Sequence, residues 1–138
     1  MNWLFYAVLS AVFASLTAIL GKIGVSGVDS TVATAARSII MAIAIVGLVV
    51  TQGNVSQLFQ FSSKTTIFII LSALAGAASW LAYFKALQLG QASQVAPIDR
   101  LSVVITLILA AFFLHESFTF WKAVGTILIV IGAILVTK

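Results

Sequence analysis

Three charged side chains, Lys85, Asp99 and Arg100, fall within residues 80–102, WLAYFKALQLGQASQVAPIDRLS, in a chain with only seven basic and three acidic residues. A guanidinium is planar and suits carboxylate or phosphate recognition. A carboxylate beside it can carry a proton, and a Lys85–Asp99 pair across the mouth of a helical hairpin would lower the cost of burying both charges. Trp80 and Tyr83 stand three residues apart and so share a helix face, forming an aromatic wall with indole and hydroxyl donors. Arg37 is the second arginine. Arg100, Asp99, Lys85, Trp80, Tyr83 and Arg37 together make a candidate set for binding a small solute or coupling its movement.

Each member also has a structural reading. The Lys85–Asp99 pair can be a static brace, and the aromatics can form an interfacial belt. Arg37 can snorkel along its own stem to the interface. Asp99 and Pro97 beside Arg100 favour a polar cavity there. Other chemistry is poorly supplied. There is no cysteine, and His115 is the only histidine. No Ser/His/Asp set, metal cluster or pair of carboxylates is in evidence. Gly21, Gly24 and Gly27 follow no strand, which argues against a phosphate loop. Neither an enzyme nor a cofactor is expected.

The elements that must position these residues follow from composition. The 138-residue chain is 62% hydrophobic and 7% charged, with a mean hydropathy of +1.24. Soluble domains carry roughly 25% charged residues, so this is an integral membrane protein, of a length that suits one domain over residues 1–138. The net charge of +4 is spread singly between apolar runs, without the basic-aromatic patch of a nucleic-acid binder. The opening MNWLFYAVLS has no lysine or arginine before its apolar run and reads as a retained span, not a cleaved leader.

Five stretches approach the roughly 20 apolar residues that a span requires: 3–20, 31–51, 65–89, 93–114 and 118–137. Lipid cannot hydrate exposed backbone, and continuous apolar runs without alternation select helices. The fold class is therefore all-α, with five transmembrane helices. Ser30 and Ser93 are expected to cap the second and fourth helices. Pro97 is expected near the first turn of the fourth, where its missing N–H costs least. The longest polar connection is QGNVSQLFQFSSK, residues 52–64. Trp3, Tyr6, Tyr83 and Trp121 lie near span ends, as interfacial aromatics do.

An internal repeat connects two of the hairpins. A displacement of 63 residues sets Lys22 on Lys85, Gly27 on Gly90 and Arg37 on Arg100, without gaps. Spans one-two and three-four then read as duplicated hairpins with their tips on one membrane face. That face receives Lys22, Arg37, Lys85, Arg100 and Lys138, and the other receives Lys64 and Lys122. The nominal positive-inside bias rests largely on the repeated residues, so either orientation is compatible with it.

The segment SWLAYFKALQLGQASQVAPIDRLSVVITLILAAFFLHES, followed by FTFWKAVGTILIVIGAILV, resembles one EamA repeat of the drug/metabolite transporter superfamily. The upstream GKIG and Arg37 resemble it too, and Glu116 matches an acidic residue frequent in such repeats. It is expected to favour the N-terminal end of the fifth helix. Common members have ten spans in two halves, and this chain is similar to the five-span bacterial and archaeal branch. An odd span number inverts a fused second copy, giving the inverted repeats of secondary transporters. The resemblance therefore implies alternating access by an antiparallel homodimer in the cytoplasmic (inner) membrane, with dual topology allowed. A parallel dimer or a heteromeric partner stays open.

Gly125 and Gly132, seven apart in the fifth span, open one helix face to close approach. This resembles the dimer-forming last span of the small multidrug resistance family, although packing within one subunit would use the same glycines. That family relies on an acidic residue in its first span, and residues 3–20 contain none. A neutral, zwitterionic or anionic metabolite is thus expected in place of an organic cation, with Asp99 the candidate for proton coupling. The expected partners are that small molecule, the lipid bilayer and a second copy of the chain, with no nucleic acid. The competing readings are a nontransporting membrane subunit or assembly partner, in which the interface would be dry, and a small-multidrug-resistance-like exporter of organic cations.

Overall fold

A computed structural model describes residues 2–138. Every regular element among them is helical: α1 (Trp3–Gly24), α2 (Ser30–Thr51), α3 (Ser63–Leu89), α4 (Ala92–Asp99), α5 (Ser102–Phe113) and α6 (Phe120–Val136), with a 3-10 turn at Val55–Phe59. Apolar side chains face outward along the helices, among them Phe5, Ile40, Ile70 and Leu128. Such a surface is matched by lipid and not by water. α1, α2, α3 and the α4–α5 segment are long and apolar enough to cross a membrane, and α6 is a shorter apolar helix. The chain is a multi-pass membrane protein built as the sequence predicts, from five membrane helices.

Two compact units divide the chain, residues 23–88 and the remainder. The first holds α2 and α3. The expected cap of α2 is corrected here: Asp29 precedes the helix, and its carboxylate accepts the backbone N–H groups of Thr31 and Val32 at 2.8 and 3.1 Å. Ser30 is already helical and buried. One oxygen, Asp29 Oδ1, takes both bonds. Aspartate and serine cap about equally well, so the register at which the helix starts decides between them. Those two donated bonds, Val32 first, hold its carboxyl below the usual carboxylate range. Gly27 makes the preceding turn with φ +78°, a conformation that favours glycine. Before α3, Ser62 Oγ accepts the Thr65 N–H at 3.2 Å.

The second unit contains α1 up to Lys22, with α4, α5 and α6. α6 packs against both α4 and α5, and the small residues Ala18 of α1 and Ala133 of α6 are buried in this unit. The fourth span runs over Ala92–Phe113, close to the expected 93–114, and is interrupted within it by a tight turn at residues 100–101. The expected cap shifts as well: α4 starts at Ala92 behind Gln91, leaving Ser93 inside it. Pro97 is consequently the sixth residue, beyond the first-turn positions whose N–H groups need no partner. It has no N–H for the carbonyl of Ser93, and its ring opposes that carbonyl. The Leu101 N–H donates to the Ile98 carbonyl at 3.0 Å, a turn tighter than α-helix, and Val103 and Val104 repeat the pattern. Regular helix resumes at Ser102.

α6 also starts two residues later than expected, because Thr119 caps it through the Lys122 N–H. Glu116 lies before that cap and acts on the first turn indirectly, through a 3.8 Å ion pair to Lys122. Both partners are exposed enough that the pair is worth about 0–1 kcal/mol.

Candidate functional site

The sequence-predicted residues fall into two basic centres, one in each unit. In residues 23–88 the centre is Arg37, the eighth residue of α2 and roughly 10 Å along its axis. Its guanidinium carbon lies 4.7 Å from the Trp80 ring centroid and 4.6 Å from that of Phe84. Both rings come from α3, four residues apart and so on one face. Arg37 therefore turns into the protein instead of extending toward the interface. Its Nη1 is buried and has no hydrogen-bond partner. Phe84, buried and packed edge-on against Tyr83 at 5.6 Å, escapes a sequence reading that paired Trp80 with Tyr83. The available signal was the i, i+4 spacing of Trp80 and Phe84, but ten phenylalanines gave no reason to single one out.

Lys85 belongs to the same unit and has a different occupation. Its Nζ donates to Gln88 Oε1 at 3.0 Å. Gln88 Nε2 donates in turn to the carbonyls of Val28 at 2.7 Å and Val25 at 3.4 Å. The lysine orients an amide that fastens the last turn of α3 to the turn after α1. Its repeat-mate Lys22 also bonds main chain, donating to the Gly90 carbonyl at 2.7 Å within the other unit. Both repeated lysines thus brace hairpin tips. Asp99, the expected partner of Lys85, belongs to that other unit, where it is half-buried and ends α4.

The second centre is Arg100, at the break between α4 and α5. It lines an open cavity of about 560 Å³ with Pro97 and Ala96 of α4, Ser15 and Ala18 of α1, and Gly132 of α6. Small side chains make the room, and Arg100 supplies the charge. Arg100 lies eight residues beyond Ala92, about 12 Å along the helix. The backbone stays right-handed through the junction, with Arg100 at φ −67°, ψ −10° and Leu101 at φ −62°, ψ −17°. The turn is therefore tightened and not unwound, and its N–H groups keep partners inside the span. Pro97 makes the break and Arg100 occupies it. Ser15 and Gly132 were not singled out as wall residues, because nothing in their spacing ties them to Arg100.

Gly125 and Gly132 lie on α6. A Cβ placed on either meets no atom of this chain within 4 Å, so close packing inside this chain does not account for them. Among the described residues no cluster of His, Cys, Asp or Glu is arranged to hold a metal.

The EamA-like transporter family model matches residues 1–138. An uncharacterized transporter in the cobO 3′ region of a Sinorhizobium species is 41% identical over 134 residues, covering 97% of this chain and 95% of that protein. An uncharacterized protein of Methanocaldococcus jannaschii is 35% identical over 74 residues, 54% of each chain. No solved structure matches at a comparable level.

Proposed function

Because the chain belongs to the EamA-like transporter family, we propose that it is a secondary transporter that moves a small organic metabolite across the cytoplasmic membrane. It acts as a single membrane domain, pairs as a homodimer and alternates access to the two sides, and it performs no covalent catalysis. The favoured solutes are neutral, zwitterionic or anionic. The observation that carries this reading is the cavity at the α4–α5 break, where Arg100 is set among alanine, serine and glycine. A broken helix beside a charged, solute-sized space is what a midplane binding site requires. An assembly subunit would have little use for it.

The charges support the choice of solute. α1 has no acidic residue, so the first-span carboxylate that a cation exchanger of the small multidrug resistance type relies on is missing. Asp99 precedes Arg100 in the chain, and in this reading it is the carboxylate that couples solute movement to a proton. The antiparallel homodimer rests on the family resemblance: an odd number of spans inverts a second copy fused to the first, and two separate copies inserted in opposite senses would reach the same shape. The open face of Gly125 and Gly132 supports its contact.

The test is a thermal-shift screen of the purified protein across amino acids, organic anions and organic cations, followed by uptake into proteoliposomes of the solutes that stabilise it. Stabilisation and uptake of an anion or zwitterion, lost in Arg100→Gln, is the expected result. Shifts with cations alone would overturn the choice of solute, and no uptake of any stabilising solute would overturn transport.

A further inference from the structure

The guanidinium of Arg37 is built for a ligand that residues 23–88 do not supply. Its carbon lies over the Trp80 and Phe84 rings, contacts that satisfy none of its N–H groups. Among its nitrogens Nη1 is buried without an acceptor. A buried, unsatisfied donor is uncommon in native proteins and asks for an explanation. Residues 23–88 contain one carboxylate, Asp29, and it is spent on the backbone of Thr31 and Val32.

We infer that Arg37 is the receptor for an oxyanion and that Trp80 and Phe84 are its resting clamp. The rings hold the cation at depth while no ligand is present, through contacts that do not satisfy its N–H groups. An oxyanion entering beside the clamp accepts charge-assisted bonds from Nη1 and its neighbour nitrogens. The guanidinium then moves off the indole face onto the ligand. The oxyanion has two sources: the carboxylate of a soluble organic acid, or the phosphate of an anionic lipid. The first source rests on the transporter reading, whereas the site itself does not.

Trp80 reports the event. The chain has three tryptophans, so Trp3→Phe with Trp121→Phe leaves Trp80 as the only indole. This full-length variant, in dodecyl maltoside micelles, which carry no phosphate, is titrated with sodium benzoate or sodium succinate against sodium chloride at equal ionic strength. A second series adds phosphatidylglycerol to the micelles in place of soluble acid. The expected result is a saturable shift in Trp80 emission with an oxyanion and none with chloride. Arg37→Lys should weaken it at least tenfold, since lysine lacks the planar fork. Lys64→Gln, which removes the same charge elsewhere, should leave it intact. A shift confined to the phosphatidylglycerol series supports the site and assigns it to lipid. Guanidinium 15N spectra of the unsubstituted chain, which has two arginines, read the same event without altering the clamp. No shift in either Trp80 emission or the arginine resonances overturns the proposal, as does an equal response in Arg37→Lys. Uptake into proteoliposomes with a silent Trp80 would remove this inference and leave transport standing; binding without uptake would do the reverse.

Discussion

The Arg37 guanidinium carbon sits 4.6 Å above the buried Phe84 ring, so α2 and α3 are joined at depth by a cation on an aromatic face. The position sets two costs against each other. A desolvated cation–π contact contributes about 2 kcal/mol or more, whereas a buried donor without a partner costs about 1–3 kcal/mol, and more when charged. The two nearly cancel, and a side chain held by nearly balanced terms is easily drawn off by a better partner.

Replacing Phe84 by leucine tests that balance. Leucine keeps most of the apolar volume and removes the ring, so the loss should be about 1–2 kcal/mol. It is measured as a lower midpoint of SDS or urea unfolding. Trp80→Leu, at a half-buried position on the same face, should cost less. Equal stability of Phe84→Leu and the parent would mean that the clamp contributes nothing.

Gln88 should be the more sensitive position of the hairpin tip, although Lys85 carries the charge. Its side chain satisfies Val28 and Val25 carbonyls while receiving Lys85. Gln88→Leu leaves the part-buried Val25 carbonyl without its donor, while the exposed Lys85 and Val28 groups stay hydrated, and should cost about 1 kcal/mol. Hydrogen exchange should quicken around residues 25–31, with the far end of α2 unchanged. Lys85→Gln leaves the amide–carbonyl bonds in place and should do less.

Asp29 gives the tip a pH dependence of known sign. Its carboxyl titrates below the usual 3.8 in the folded state because Val32 and Thr31 donate to the ionised form. The contribution is therefore complete above about pH 4 and is lost as pH falls through the lower folded value. Melting temperature should drop over that acid window in the parent and drop less steeply in Asp29→Asn. Asparagine still caps α2, so the two proteins should converge at the acid end.

The sequence made the helices legible because lipid imposes a length and forbids unpaired backbone; the five apolar stretches needed only small adjustments at their ends. The caps were less legible. Asp29 and Ser30 are adjacent and both able to cap, and one residue of register decides between them. Pro97 was visible, but its effect depended on where α4 starts. Gln91 in place of Ser93 as the cap moved the proline past the tolerant first turn. The six candidate residues were recognisable by charge and aromaticity in so apolar a chain. Their grouping was not, since only the fold places Trp80 with Arg37 and surrounds Arg100 with Ser15 and Gly132.

Pro97→Ala should trade activity for stability. It restores an N–H opposite the Ser93 carbonyl and removes the ring that opposes it, an improvement of up to about 3 kcal/mol. Continuous helix from Ala92 to Phe113 would redirect Arg100 away from its cavity. The expected outcome is a higher melting temperature, slower amide exchange at residues 100–104, and uptake reduced at least tenfold. Higher stability with unchanged uptake would separate the helix break from transport.

Gly125 and Gly132 allow the proposed dimer to be tested by mass, although Gly132 also lines the Arg100 cavity and its substitution is not neutral there. A Cβ at either position meets nothing in the same chain, so Gly→Ala should be tolerated and should even stabilise each isolated helix by up to about 1 kcal/mol. A penalty in association at Gly125, which does not line the cavity, then points to a second molecule approaching that face. The alanine pair should weaken association about tenfold, and leucine at both positions should leave monomers. Light scattering in detergent, corrected for bound detergent, measures the mass across a dilution series. If the leucine pair keeps the parent's mass, the glycine face is not where the copies meet.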